Sequence, residues 1–354
     1  MTPLGRRIAA LIAAQGPISI AEFMTLALHD REAGYYATRD PLGVEGDFIT
    51  APEISQMFGE LLGLWLAQVW HDQGSPKRPQ LVELGPGRGT LMADALRALK
   101  LVPAFRESLE VVLVEASPAL RKVQQETLRD CGVAIRWADS FDLSLAGRPV
   151  FLVANEFFDA LPIRQYVKTE RGWCERMVTL DRNGALAFAL APTALPAGLV
   201  PASRDGAPLG GVYEMSSTGE AIGEEIAHAI ARDGGAAIIV DYGYRTPGFG
   251  ETLQAVASHK FAGILADPGS SDLSAHVDFT ALGAAAMHGG ASVCGPVEQG
   301  AFLVALGIVE RAERLSRLKN VTDQLDRLIK PDQMGTLFKA LAIVPKSAPT
   351  PPGF

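Results

Sequence analysis

The sequence predicts an α/β fold, a mostly parallel sheet with a terminal antiparallel hairpin, a helical N-terminal region and a β-rich insertion. From Gln80 onward, short apolar runs alternate with helix-like segments, which is typical of strand–helix–strand units. Strand-like segments on both sides of Asn183-Gly184 indicate a hairpin inside an insertion. Two apolar runs near residue 300 lie too close together for a helical crossover, so we expect them to pair antiparallel.

The first 75 residues predict a helical cap. Apolar residues recur at helical spacing as far as Gly16-Pro17, which ends the first helix. Ser19 and Glu22 form a capping box for a second helix that reaches about His29.

The stretch 34–53 is aromatic and glycine-rich, and it has little periodicity. It therefore predicts a long loop, and ordered loops of this length usually serve a site. Thr50 and Glu53 form a second capping-box pattern, which predicts the start of a strongly amphipathic helix. Gly74-Ser75-Pro76 ends that helix.

Short apolar runs predict the strands of a core that spans residues 76–310. They are residues 81–85, 111–115, 133–137, 150–156 and 236–243. Between the last two lies the insertion, about 163–212, whose strand-like segments predict a small antiparallel sheet over the edge of the core.

The end of the chain predicts the hairpin and then helices. Residues 291–295 and 301–308 are the two expected hairpin strands. Residues 311–345 are charged and helical in character, with a break at Lys330-Pro331. The proline-rich tail 346–354 is expected to be disordered.

Composition excludes several classes of protein. A net charge of −8 argues against a broad basic face for nucleic acid, and it suits a basic peptide substrate. The three cysteines and six histidines are scattered, so we expect neither disulfides nor a metal site. No apolar run is long enough for a membrane span, and we interpret the start of the chain as a folded helix rather than a targeting segment.

A glycine turn follows the first core strand, in the segment ELGPGRGT that runs from Glu83 to Thr90. Gly85, Gly87 and Gly89 let the backbone adopt positive φ and pass close to a ligand. The spacing G-x-G-x-G, with the acidic Glu83 before it, differs from the dinucleotide pattern G-x-G-x-x-G. It favours S-adenosylmethionine, which has no pyrophosphate, although a tight turn without a ligand would have the same glycines.

Two further acidic residues follow the next strands. Glu115 ends the second strand, where a carboxylate can accept from both ribose hydroxyls of a nucleoside. The alternative is helix capping, because Ser117 and Pro118 begin a helix there. Asp139 ends the third strand and is a candidate to accept from the adenine amino group; its alternative is an ordinary turn aspartate.

The fourth strand ends in ANEFFDALP, where Asn155, Glu156 and Asp159 would lie beside the transferred methyl group. Paired carboxylates can clamp a guanidinium bidentately and accept the proton that it releases. The alternative is that Asn155 caps a helix and both carboxylates are solvated. Asp241 in DYG and His276 are further candidates for proton acceptance, and a lone histidine is as often structural.

Several motifs together resemble the MidA-like S-adenosylmethionine-dependent methyltransferases, a family that includes a mitochondrial complex I assembly factor. The resemblance covers roughly residues 1–345 and rests on GDFITAPEIS, ELGPGRGT, NEFFDALP, DYG, DLSAHVDF and EQGAFLVALGI, in that order. It implies a class I methyltransferase (Rossmann-like) fold and makes the loop 34–53 a lid. It also implies symmetric dimethylation of an arginine on a complex I (NADH dehydrogenase) core subunit, here by a bacterial member in the cytoplasm.

Other functions remain open at this stage. The fold could serve a non-catalytic assembly chaperone, or a small-molecule methyltransferase with a closed apolar pocket. A hydride-transferring dehydrogenase is disfavoured by the glycine spacing.

Overall fold

The structure is a computed structural model that describes residues 1–38, 49–141, 147–196, 198–246, 248–257, 260–317 and 319–354. In chain order its elements are α1 (Pro3–Gln15), β1 (Ile18–Ser19), α2 (Ile20–His29), α3 (Tyr35–Thr38), α4 (Ala51–Ile54), α5 (Gln56–Asp72), β2 (Gln80–Leu84), α6 (Thr90–Ala98), α7 (Pro103–Ser108), β3 (Glu110–Val114), α8 (Pro118–Thr127), β4 (Ile135–Ala138), β5 (Val150–Asn155), β6 (Arg164–Thr169), β7 (Gly172–Leu180), β8 (Leu186–Ala194), β9 (Val212–Met215), α9 (Ser217–Asp233), β10 (Gly235–Tyr244), β11 (Gln254–Ala257), β12 (Lys260–Ala262), β13 (Asp272–Ser274), β14 (Val277–Asp278), α10 (Phe279–His288), β15 (Ser292–Glu298), α11 (Gln299–Ala305), α12 (Ile308–Arg314), α13 (Val321–Ile329), α14 (Met334–Leu337) and β16 (Phe338–Val344).

The central sheet has the strand order β15-β16-β10-β5-β2-β3-β4. The five strands β10, β5, β2, β3 and β4 are parallel, which confirms the predicted core strands. Leu84 pairs with both Val114 and Ala154, so the carboxyl ends of β2, β3 and β5 lie at one edge. That edge is where an open α/β sheet binds its ligands.

Apolar side chains alternate between the two faces of this sheet and bury a core on each. One core joins the sheet to α5, α6 and α11, and the other joins it to α9 and α10. The result is a three-layer α/β arrangement. Within the described ranges, no helix combines the length and apolar character needed to cross a membrane.

The N-terminal helices follow the prediction except in two places. The predicted loop 34–53 is wrong at its ends, where Tyr35–Thr38 forms α3 and α4 begins at Ala51. Ser19 and Glu22 form the expected capping box on α2. Thr50, however, precedes only the short α4 and makes no side-chain capping bond. The long helix α5 instead begins after Ser55, whose extended backbone (φ −156°) interrupts the chain and whose hydroxyl accepts from the Met57 N–H. The predicted capping box at Thr50 and Glu53 is therefore wrong.

The predicted hairpin was placed on the wrong second strand. Residues 292–298 form β15, but the run 301–308 lies largely in helix α11. The partner of β15 is β16, which also pairs antiparallel with β10. An apolar run of this length is compatible with either a strand or a buried helix, and tertiary packing decides between them. Residues 338–344, predicted as helix, are thus a strand inside the sheet.

The C-terminal tail was expected to be disordered, but it packs on the core. The Trp65 indole N–H donates to the carbonyl of Pro352 at 2.9 Å. The Phe354 ring lies 6.4 Å from Trp65 and 5.3 Å from Phe302, centroid to centroid. The Phe354 ring and the Pro352 carbonyl therefore hold the tail on the core, although its proline-rich composition predicts disorder.

The insertion forms a second, antiparallel sheet as predicted. Its order is β1-β7-β6-β9, and β8 pairs with β7. Ile18 of β1 pairs with Val178 of β7, so the N-terminal helices are tied to the insertion. A further small sheet contains β11, β12 and β13.

Candidate functional site

The glycine turn joins the end of β2 to the start of α6. Gly85, Gly87 and Gly89 all have positive φ, at 60°, 53° and 82°. A Cβ on Gly85 would lie 2.9 Å from Cδ2 of Phe157, a residue of the segment after β5. The turn therefore requires glycine both for its backbone conformation and for its close approach to that segment.

Glu83 lies inside β2, just before the turn, and its side chain is buried. Burial raises the pKa of its carboxyl to about 8. Its Oε2 atom has no hydrogen-bond partner in the part of the chain that the structure describes. A buried polar atom without a partner is costly, and such atoms often mark a ligand site.

Glu115 follows β3 at the same edge of the sheet. Its Oε1 accepts from the Ser117 backbone N–H at 2.7 Å, and its Oε2 accepts from Gln124 Nε2 at 3.2 Å. Burial raises the pKa of this carboxyl. The helix α8 is capped by the Ser117 hydroxyl, so capping does not account for Glu115.

Asp139 follows β4, and its side chain is exposed. Its carboxylate pairs with Arg121, whose Nε also donates to the Glu115 carbonyl at 2.7 Å. The arginine thus ties the two strand ends together. An adenine-binding role for Asp139 stays a prediction, in competition with this ion pair.

The segment after β5 brings Asn155, Glu156 and Asp159 together in a tight turn, here called the acidic turn (155–159). Glu156 has a φ of +50°, which is rare for a side chain other than glycine. Its Oε1 accepts from Asn155 Nδ2 and from the Ala51 backbone N–H, both at 3.1 Å. Such strain is found mostly where the surrounding contacts fix a functional conformation.

Both carboxyls of the acidic turn have raised pKa values. Burial, and then the charge of Asp159, raises the pKa of Glu156 to about 7. Burial raises the pKa of Asp159 to about 6. Buried oxygens of Asn155 and Asp159 have no hydrogen-bond partner among the described residues. The turn therefore concentrates acceptor atoms that lack donors.

Helix α4 connects the glycine turn to the acidic turn, and sequence reasoning missed this connection. Glu53 Oε1 accepts from the hydroxyl of Thr90, the first residue of α6, at 2.5 Å. The backbone N–H of Ala51, the first residue of α4, donates to Glu156 of the acidic turn. Glu53, which was predicted to cap a helix, therefore binds the start of α6 beside the glycine turn instead. Residues 39–48 of the predicted lid lie outside the described residues.

Comparison with known protein families identifies the family of this chain. Residues 61–297 match the family described as "Putative S-adenosyl-L-methionine-dependent methyltransferase". The chain belongs to this methyltransferase family. The predicted class I fold and the cofactor S-adenosylmethionine are thereby confirmed.

Relatives of this methyltransferase match it over nearly its whole length. The zebrafish (Danio rerio) protein arginine methyltransferase NDUFAF7, mitochondrial, is 38% identical over 96% of this chain and 86% of that protein. The human protein of the same name is 37% identical over 98% and 84%. A crystal structure from Burkholderia thailandensis, described as a "likely methyl transferase" bound to S-adenosyl-homocysteine, is 30% identical and superimposes with a TM-score of 0.86, covering 99% of this chain and 93% of that one.

The residues of the methyltransferase fit its cofactor at the predicted edge. The three glycines hold the turn in a positive-φ conformation, and Glu83 and Glu115 bring a buried and a half-buried carboxyl to the strand ends beside it. Their individual roles in binding remain predictions.

Asp241 of the methyltransferase supports the acidic turn from below. Its Oδ2 accepts from the backbone N–H groups of Phe157, Phe158 and Asp159 at 3.0–3.3 Å, and its Oδ1 accepts from that of Tyr242 at 2.9 Å. The side chain is fully buried. These four donors occupy the carboxylate, so it is suited to fix the turn and poorly suited to receive a substrate proton.

His276 lies beside the same cluster. Its ring packs edge-on against Tyr242 at 5.3 Å, and burial lowers its pKa. A neutral, packed imidazole agrees with the structural alternative for this histidine.

Proposed function

We propose that this methyltransferase transfers methyl groups from S-adenosylmethionine to an arginine of a protein. The observation that carries the proposal is the acidic turn, which sets the half-buried Glu156 carboxyl and the buried Asp159 carboxyl next to the glycine turn. We propose further that the substrate is a core subunit of complex I, that its arginine is dimethylated symmetrically, and that this modification supports assembly of the complex.

The electrostatics of the acidic turn favour a cationic substrate. In the described parts of the chain, neither Glu156 nor Asp159 forms an ion pair, and burial raises both pKa values. A guanidinium stays charged near neutral pH and can accept a bidentate clamp. Its arrival would stabilise the ionised carboxylates and supply the missing hydrogen-bond donors.

In this proposal each residue has a distinct task. Bound S-adenosylmethionine supplies an electrophilic methyl group. Glu156, oriented by Asn155 and by the Ala51 N–H, holds the guanidinium in line with that methyl group. Asp159, with a partnerless Oδ1, receives the proton that the arginine nitrogen loses.

The relatives and the net charge support a protein arginine as the acceptor of the methyl group. The zebrafish and human relatives are named protein arginine methyltransferases, and their names place them in mitochondria. The net charge of −8 suits a basic peptide. We propose that this chain is a bacterial member of the group and acts in the cytoplasm.

The test is mass spectrometry of complex I subunits from cells that contain the wild type, no protein, or the Glu156→Gln variant. We expect a symmetrically dimethylated arginine only with the wild type, while purified Glu156→Gln binds S-adenosyl-homocysteine with wild-type affinity. Glu313→Gln, an exposed carboxylate on α12, is the matched control. An arginine methylation pattern that does not depend on the protein would refute the substrate.

A second variant separates catalysis from a chaperone role. Gly87→Val introduces a branched side chain at a φ of +53° in the glycine turn, and it should obstruct cofactor binding. We expect cells with this variant to lose complex I assembly. Full assembly without methylation would favour the non-catalytic alternative.

A further inference from the structure

A fully buried glutamine joins three elements of the cofactor site. Gln124 lies on α8, and its Nε2 donates to the Gly87 carbonyl at 2.8 Å and to Glu115 Oε2 at 3.2 Å. Its Oε1 accepts from the Trp137 indole N–H at 2.8 Å. One side chain thus contacts the glycine turn, the end of β3 and β4.

The position of Gln124 is unusual for a polar residue. Leu120 and Leu128 lie four residues away on either side, and both are buried; Leu128, which caps the end of α8, belongs to the apolar core. Burying an amide costs free energy unless its hydrogen bonds are made. Gln124 makes them with groups of the cofactor site, so the polar residue is explained by that site rather than by the packing of α8.

The direction of the amide is fixed by its partners. An indole N–H only donates, so the carbonyl oxygen of Gln124 must face Trp137. The amide nitrogen must then face two acceptors, the Gly87 carbonyl and the Glu115 carboxylate. Methionine has nearly the same shape but no such donor, and glutamate would place a carboxylate against both acceptors.

We propose that Gln124 is a positioning residue for the cofactor, which sets the orientation of the Glu115 carboxylate and the path of the chain at Gly87. Ser117 N–H holds one oxygen of Glu115 and Gln124 holds the other, so the plane of the carboxylate is fixed. Each oxygen keeps a lone pair for a further donor. This inference rests on the proposed role of Glu115 in cofactor binding.

The experiment is calorimetric titration of the full chain with S-adenosyl-homocysteine. We expect Gln124→Met to weaken binding about tenfold, because two hydrogen bonds at the site are lost. Gln124→Glu should weaken it more. Gln68→Met, on the exposed face of α5, is the matched control and should bind as the wild type does. In turnover, Gln124→Met should raise KM for S-adenosylmethionine and leave kcat nearly unchanged.

A double-mutant cycle separates positioning from general destabilisation. In a Glu115→Gln background, the effect of Gln124→Met on the Kd should shrink to about threefold or less, because Gln124 then has no carboxylate to orient. If Gln124→Met folds poorly, Trp137→Phe removes the donor that orients the amide, and we expect it to raise the Kd about threefold.

The outcomes test the role of Gln124 separately from the proposed cofactor-binding role of Glu115. Unchanged binding in Glu115→Gln would overturn the proposed role of Glu115. Weakened binding in Glu115→Gln with wild-type binding in both Gln124→Met and Trp137→Phe would overturn the role of Gln124. Additive effects in the cycle would show that Gln124 does not act through Glu115 and would overturn the proposed positioning of that carboxylate.

Discussion

Glu83 offers a quantitative test of the electrostatics of the sheet. Its carboxyl lies inside β2 with a pKa of about 8, against 4.5 for the ordinary group. Between these values the folded protein keeps the proton that the unfolded chain releases. The free energy of unfolding therefore falls as pH rises, by about 1.4 kcal/mol per pH unit for this one group. Between pH 6 and pH 7.5 the loss is about 2 kcal/mol.

Glu83→Gln removes the ionisable group and keeps its shape. As pH rises from 6 to 7.5, the free energy of unfolding of the variant should increase by about 2 kcal/mol relative to that of the wild type. Urea unfolding of the cofactor-free proteins measures this difference. Other buried carboxyls contribute equally to both proteins, so the difference isolates Glu83. Glu313→Gln, which changes an exposed side chain, should follow the wild type at every pH.

A difference between wild type and Glu83→Gln that does not change with pH would refute the reasoning. It would mean that Glu83 is already ionised in the folded protein at pH 6, stabilised by a partner. A difference that changes in the opposite direction would mean that the folded state favours the charged form, contrary to the effect of burial.

Three further expectations follow from the site and the tail. Because Glu156 has a pKa of about 7 and must be ionised to clamp a guanidinium, kcat/KM for a peptide should rise from pH 6 to pH 8; a flat profile would contradict this. Gly85→Ala places a Cβ 2.9 Å from Phe157 and should lower both S-adenosyl-homocysteine affinity and activity. The control Gly184→Ala, at a φ of +76° with open space around it, should change only stability. Equal binding by the two variants would argue against the close approach of Gly85 to Phe157. Because Phe354 is half-buried, Phe354→Ala should lower the free energy of unfolding by about 2 kcal/mol in thermal or urea unfolding, and an unchanged Tm would show that the tail does not support the core.

The parallel part of the fold was predictable because each strand leaves a strong local signal. Runs such as residues 150–155 and 235–244 are apolar on both faces, which suits strands covered by helices on each side. The glycine turn was equally clear, because three glycines at alternate positions have few explanations other than positive φ. These features depend on residues that are neighbours in sequence.

The terminal strands were not predictable from local pattern. Residues 301–308 and 338–344 are both short apolar runs, yet the first is mostly helix and the second is strand. Their states depend on which surface of the sheet remains open, which is a long-range property. A charged residue, Lys339, interrupts the apolar run of β16 and makes the strand harder to recognise in the sequence. In the structure its ammonium donates to the carbonyls of Thr336 and Leu337.

The site shows the same division. Glu115, Asn155 and Glu156 follow strand ends, so their proximity follows from the topology of a parallel sheet. Gln124 and Ala51 act through contacts that no spacing encodes. A glutamine on the apolar face of a predicted helix was nevertheless a visible signal, because a core position seldom holds a polar residue without a nearby acceptor or donor.

The strand order has a consequence for synthesis of the chain. β16, made near the end of translation, lies between β15 and β10, which emerge from the ribosome before it. Until Phe338–Val344 is available, the apolar edge of β10 is open to pairing with other chains. A stop codon in or before the codons of Phe338–Val344 would therefore remove the strand that joins β15 to β10 and leave that edge open.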